Sequence, residues 1–255
     1  MMPAVIEQVR HRTLPSYVLE AKYEFLRLLR TPVFALPTIL FPALFYLLFG
    51  VVLNAGNGGA AQYLLATYGV FGVMGAGLFG FGVTVAIERE QGFLQLKRAL
   101  PMPPGAYLLA KMAMAMLFSA IVSLLLATLA FFLAGVSLQP GQWALLLLVN
   151  MLGALPFCAL GLYIGTLVGG NAAPAVVNLI FLPMAFLSGL WLPLTMLPEV
   201  FANLAPAWPA YHLGQIALKV VGMDAGGALA LHLGVLAVMT AALFVLARAR
   251  LARVG

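Results

Sequence analysis

The feature that most constrains this chain is a succession of six apolar runs, at residues 33–53, 64–86, 112–135, 143–168, 176–197 and 228–247. None contains Asp, Glu, Lys or Arg. A helix needs about 20 apolar residues to cross about 30 Å of hydrocarbon, so each run is long enough to span a bilayer with some tilt. Composition points the same way: 64% of the residues are hydrophobic and 8% charged, where a soluble domain carries about a quarter charged. The expected fold class is all-α, a polytopic membrane protein of six transmembrane helices.

The basic residues test that count. Twelve of the thirteen Lys and Arg fall before the first run, between the second and third, or after the sixth, and only Lys219 falls opposite. The positive-inside rule then places both termini and the loop between spans two and three in the cytoplasm, as for a plasma (bacterial inner) membrane protein. Five or seven spans would scatter the same charges over both faces. The chain divides into a cytoplasmic N-terminus (1–32), a membrane domain (33–247) and a basic tail (248–255). The net charge of +6 is topological, and no nucleic-acid partner is expected. Glu7, Glu20 and Glu24 precede a first run too long for a signal-peptide core, so that run is expected to remain as a span.

Residues 16–30 place Glu20, Glu24 and Arg27 on one helical face and Val18, Ala21, Phe25, Leu28 and Leu29 on another. This predicts an amphipathic helix on the cytoplasmic surface, in contact with membrane lipid, capped by Ser16 and stopped at Pro32. It serves either as a membrane anchor or as a coupling element. After the fifth run, Pro193, Pro198, Pro206 and Pro209 divide a stretch whose pieces are too short to cross. Two short re-entrant helices are expected there, at 198–204 and 209–221, with Trp191 and Trp208 in the headgroup zone. Small residues recur every four positions at Gly72, Ala76 and Gly80 and again at Gly161, Gly165 and Gly169, which marks close helix packing within one chain or between two.

The residues exclude most chemistries. Ion-coupled transporters place ionisable groups at midplane, but here only His232 titrates near neutrality within a span, close to its outer end, where it reads as an interfacial residue. Ser188, His212 and His232 fall in different segments and form no catalytic pair. Cys158 is the single cysteine, so no intramolecular disulfide or thiolate metal site is expected, and no cofactor. Leu187-Ser188-Gly189 has the look of an ATPase signature, yet it lies in an apolar run and the chain has no phosphate-binding Gly-rich loop. No 3+3 repeat is visible, so one chain is expected to supply half of a pathway. Asn150, Asn178, Thr84 and Thr128 are candidates for its polar lining.

The informative segment is cytoplasmic. Glu88, Arg89, Glu90, Gly92, Phe93, Leu94, Leu96, Leu100 and Pro101 mix both charge signs with exposed apolar residues. Glu88 and Glu90 can pair with basic groups or cap backbone amides, and Pro101 ends the helix. Two readings stand: a helix that docks into a partner's groove, or a mixed-charge loop that keeps the hairpin cytoplasmic.

At these residues the sequence resembles the permease subunits of ATP-binding-cassette exporters of the second type, the drug and polysaccharide exporter class. Glu88, Arg89, Glu90 and Gly92, with Pro101 nine residues later, match the Glu-Arg-Glu-x-Gly stretch of that family. Phe93 stands where a threonine is common, and Gln95 near the place of a glutamate. The resemblance continues at 187–193, Leu197, Pro198, Pro209 and Tyr211. It implies a permease that pairs with a second permease copy or paralogue and with two separate ATPase subunits, in which Glu88, Arg89, Glu90, Gly92, Phe93, Leu96, Leu100 and Pro101 receive the ATPase movement. ATP hydrolysis would then lie in the partner chain, and this chain would not be an enzyme. A passive channel and a lipid-acting membrane enzyme built on Ser188, His212 or His232 are the rival readings.

Overall fold

The computed structural model describes residues 13–99, 105–223 and 227–254. Among the described residues every regular element is helical, as hydrocarbon requires of backbone amides that have no water to bond. Helix α1 (Thr13–Leu29) precedes α2 (Pro32–Phe45), which runs on into a π-helical stretch, Tyr46–Val52. Helix α3 (Gly58–Gly75), a second π-helical stretch (Ala76–Val83) and α4 (Thr84–Glu90) form one 33-residue rod. The short α5 (Phe93–Ala99) leads toward α6 (Ala106–Phe132). Helices α7 (Pro140–Leu152) and α8 (Ala154–Leu167) form the next rod, and α9 (Ala173–Leu187), α10 (Glu199–Leu204), α11 (Pro209–Val220) and α12 (Leu229–Val254) complete the bundle.

Among the described residues, five rods are long and apolar enough to cross a membrane: Pro32–Val52, Gly58–Glu90, Ala106–Phe132, Pro140–Leu167 and Leu229–Leu251. The predicted run at 176–197 behaves differently, because its helix covers only the 15 residues Ala173–Leu187. At 1.5 Å per residue that is about 22 Å, short of the hydrocarbon thickness. The chain turns at Gly189, where φ is +75°, and Pro193 and Pro198 keep the remainder from resuming a long helix. The short helices beyond it, α10 and α11, lie within a residue of the positions that the prolines predict.

The rod Gly58–Glu90 is the centre of the bundle. Its membrane-length window is 83% buried, against 11% for Leu229–Leu251 at the periphery. Glycine sets its distance from α8. A Cβ on Gly82 would stand 2.6 Å from Gly161 Cα, and one on Gly165 would stand 2.7 Å from the Gly82 carbonyl oxygen. Gly161 and Gly165 thus meet Gly77 and Gly82 of the same chain. The stripe Gly72, Ala76 and Gly80 turns elsewhere: Gly72 faces Val122 and Pro42, Gly80 faces Phe34 and Met114, and Ala76 packs with Leu28, Ala35, Met114 and Phe118. Gly169 lies beyond α8, beside the Glu90 carboxylate.

The end of the bundle remote from Glu90 is closed by α11, which is buried along most of its length. Gln142 Nε2 donates to the Val220 carbonyl (2.9 Å), and Gln62 Nε2 donates to that of Val221. These bonds occupy orphan carbonyls at the helix end. His212 on α11 and His232 on α12 are brought together, both buried, with their Nδ1 atoms 2.9 Å apart. They stand 20 residues apart in the sequence, on helices packed against each other.

Candidate coupling site

Helix α4 ends where Gly92, at φ +77°, redirects the chain into α5. Such a backbone favours glycine because a Cβ is strained there. Helix α5 presents Phe93 and Leu96 to the outside, 46% and 58% exposed. Leu94, expected to be exposed with them, is instead buried at 7%; on a seven-residue helix one apolar side chain turns inward. Leu100 and Pro101 lie outside the described residues.

Just before this turn, three consecutive charged residues act in different directions. Glu88 is buried and joins two other helices. Its Oε1 accepts from Lys111 Nζ at 3.1 Å and from Arg27, and its Oε2 accepts from the Tyr107 hydroxyl at 2.5 Å. Arg89 donates to the carbonyls of Thr166 (2.7 Å) and Val168 (2.8 Å), which lie at the C-terminal end of α8, where orphan carbonyls and the helix dipole favour a cation. Glu90 accepts from the Gly170 backbone amide in the turn before α9.

Lys111 is fully buried, although its position beside an apolar run reads as a solvated loop charge. Its ammonium donates to Glu24 and Glu88 and to Thr84 Oγ1 at 2.9 Å. Glu24, 5% exposed, also accepts from Arg27 at 2.7 Å. Two carboxylates thus face one ammonium and one guanidinium, so the cluster is neutral and its buried charges are paired, the condition for keeping ions out of water. Partial burial pulls the Arg27 pKa down, but Glu88 and Glu24 outweigh this and hold it above its ordinary value.

The result is an ionic joint between α1, α4 and α6, with a second attachment from Arg89 and Glu90 to the α8–α9 turn. Nothing in the joint is a nucleophile beside a base, and among the described residues there is no cluster of three or more metal-ligating side chains. The corner before α5 is thereby tied to α1 and α6, to the end of α8 and to the turn after it. The sequence pattern singles out Glu88, Arg89 and Glu90 but misses Glu24, Arg27, Tyr107 and Lys111 as their neighbours. The available signal was Lys111 itself, a charge at the edge of an apolar run with carboxylates at Glu24 and Glu88 to answer it.

The candidates for a polar lining separate. Asn178 and Thr38 lie in a cavity of about 360 Å³ between α2, the central rod and α9, walled by Phe34, Phe41, Phe45, Phe71, Phe79 and Phe181. Asn150 Nδ2 instead donates to Ser123 Oγ at 3.0 Å inside the bundle. Thr84 belongs to the ionic joint, and Thr128 donates to its own helix at Leu125.

The chain is 30% identical over 206 residues, 78% of its own length and 82% of the relative's, to "Putative transport permease YvfS" of Bacillus subtilis (strain 168). The family model described as ABC-2 type transporter matches residues 17–222, from α1 through the end of α11. This integral membrane protein belongs to the ABC-2 type transporter family.

Proposed function

We propose that the chain is the permease subunit of an ATP-driven exporter and that its ATP-binding components act on it at the α4–α5 corner. Family membership supports the permease role and the partnership with ATP-binding components. The observation that carries the coupling site is the buried contact of Lys111 with Glu24 and Glu88, one turn before the exposed Phe93 and Leu96. A partner seated on Phe93 and Leu96 pushes directly on a joint that cannot flex without separating buried charges. Glu88, Arg89 and Glu90 then transmit the movement from inside the permease rather than by touching the partner.

The wider assembly follows the same logic. Two ATP-binding subunits serve two permeases, the second being another copy or a paralogue. The aromatic cavity between α2 and α9 is open on one side, and its polar side chains are Thr38 and Asn178. A second permease closing that side completes a path for an amphipathic or apolar cargo. The charge distribution supports six spans with both termini in the cytoplasm of an inner membrane, α9 and the turn after it serving as the fifth.

Reconstitution with the ATP-binding component tests the reading. The intact permease raises ATP hydrolysis, whereas Phe93→Asp with Leu96→Asp removes the stimulation and leaves the permease folded. Cargo flux through the permease alone, without nucleotide, would establish the passive-channel alternative instead.

A further inference from the structure

Helix α1 turns its ionic residues inward and apolar ones outward. Glu24 and Arg27 bond to Lys111 and Glu88 in the joint, whereas Val18 and Tyr23 are 60% and 64% exposed and Leu19 and Leu29 are exposed with them. The depth of the helix decides what meets that outer side. Phe25 packs on Phe118 with ring centroids 5.3 Å apart, and Leu28 packs with Ala76 and Met114. These three neighbours lie inside the apolar runs 64–86 and 112–135, so the end of α1 is seated against the membrane-length rods and not below them. Arg30, in its last turn, stands two residues before Pro32, where the first such rod begins. A water-soluble protein would have to enter hydrocarbon to cover this side, and lipid is already there.

Lys22 and Arg30 are exposed on that same side. Eight residues apart on a helix, they stand within a quarter turn of each other and about 12 Å apart along the axis. Among the described residues neither has an ion pair or a side-chain hydrogen bond. The two carboxylates of α1 do not answer them, since Glu24 is buried in the joint and Glu20 is only partly exposed and otherwise engaged. A basic side chain among exposed apolar ones lays its stem along them and keeps its charge at the headgroups. We propose that this side of α1 binds anionic phospholipid, with phosphates at Lys22 and Arg30 and acyl chains against Val18, Leu19, Tyr23 and Leu29. Two unanswered cations beside exposed apolar side chains match a lipid that joins negative charge to hydrocarbon, and a zwitterionic lipid leaves their charge uncompensated.

The lipid site is separate from the coupling role, because Lys22 and Arg30 make no bond in the ionic joint. The test places a fluorophore at the exposed position 23 (Tyr23→Trp) in the permease with its ATP-binding component, in mixed bilayers of phosphatidylglycerol and phosphatidylcholine. One lipid or the other is dibrominated, and the quenching of the unsubstituted complex is subtracted. Both lipids quench position 23, and phosphatidylglycerol occupies the site in preference. Lys22→Gln lowers that preference about fivefold, in line with the contribution of one basic residue at an anionic membrane surface. Lys22→Arg keeps it, and Lys22→Gln with Arg30→Gln removes most of it while the melting midpoint stays that of the parent, since both side chains are exposed. Raising the salt concentration weakens the preference of the parent and not of the double variant. Absence of quenching by either lipid would put protein or water on this side. That result, equal occupancy by the two lipids, or a preference indifferent to the double variant would overturn the proposal.

Discussion

The ammonium of Lys111, with no exposure to solvent, lies 3.1 Å from Oε1 of Glu88, 23 residues earlier in the chain. That contact fixes the end of the central rod to the start of α6, and Glu24 draws α1 into the same cluster.

Removing only the cation leaves two buried carboxylates to one guanidinium. Lys111→Met is therefore expected to destabilise the permease by about 3–5 kcal/mol, the range for breaking a buried ion pair. The double variant Lys111→Met, Glu24→Gln leaves Glu88 paired with Arg27 and should recover most of that loss. Thermal unfolding in detergent measures both. A double variant as unstable as the single one would show that shape rather than charge balance holds the joint.

Close helix contact makes a second prediction. Gly82→Ala drives a Cβ into the backbone of Gly161 and should cost about 1–3 kcal/mol, as overpacking does. Gly75→Ala, on the same rod, meets nothing within 4 Å and should leave the melting midpoint unchanged or raise it. The difference between the two midpoints is the informative quantity.

Gly92 separates stability from coupling. Its φ of +77° makes Gly92→Ala cost about 1–2 kcal/mol. Most of that strain is relieved by moving α5, which makes few buried contacts. ATPase stimulation by the reconstituted complex should fall further than the melting midpoint implies.

Orientation is open to thiol labelling. Cys158 is fully buried and gives little background. Leu96→Cys and Val200→Cys carry exposed positions at the two ends of the bundle. In intact cells an impermeant maleimide should label position 200 and spare position 96; the reverse pattern would invert the topology.

Much of the fold was legible because hydrocarbon leaves few choices. The apolar runs marked the rods, and Pro198 and Pro209 marked α10 and α11 nearly to the residue. The run at 176–197 was legible only in part, because its composition stays apolar past Ser188, while Gly189 and the prolines end the helix. The site was half legible. Glu88, Arg89 and Glu90 stood out, but Glu24 read as the wet face of an amphipathic helix, whereas that face turns inward to Lys111 and Val18 and Tyr23 are exposed. A one-dimensional pattern counts charges as solvated; whether one is buried depends on a partner tens of residues away. The glycine stripes showed the same limit, since their spacing announced close contact without saying that Gly161 would meet Gly82.

Site-specific photo-crosslinking locates the surface on which the ATP-binding component acts. A photoreactive amino acid is placed in turn at Phe93, Leu96 and Val200 of the permease, in complex with its ATP-binding component in the membrane. Adducts to that component from positions 93 and 96, and none from 200, are the expected result. A complex that still stimulates ATP hydrolysis but forms no adduct at 93 or 96 would place the coupling surface elsewhere and contradict the account.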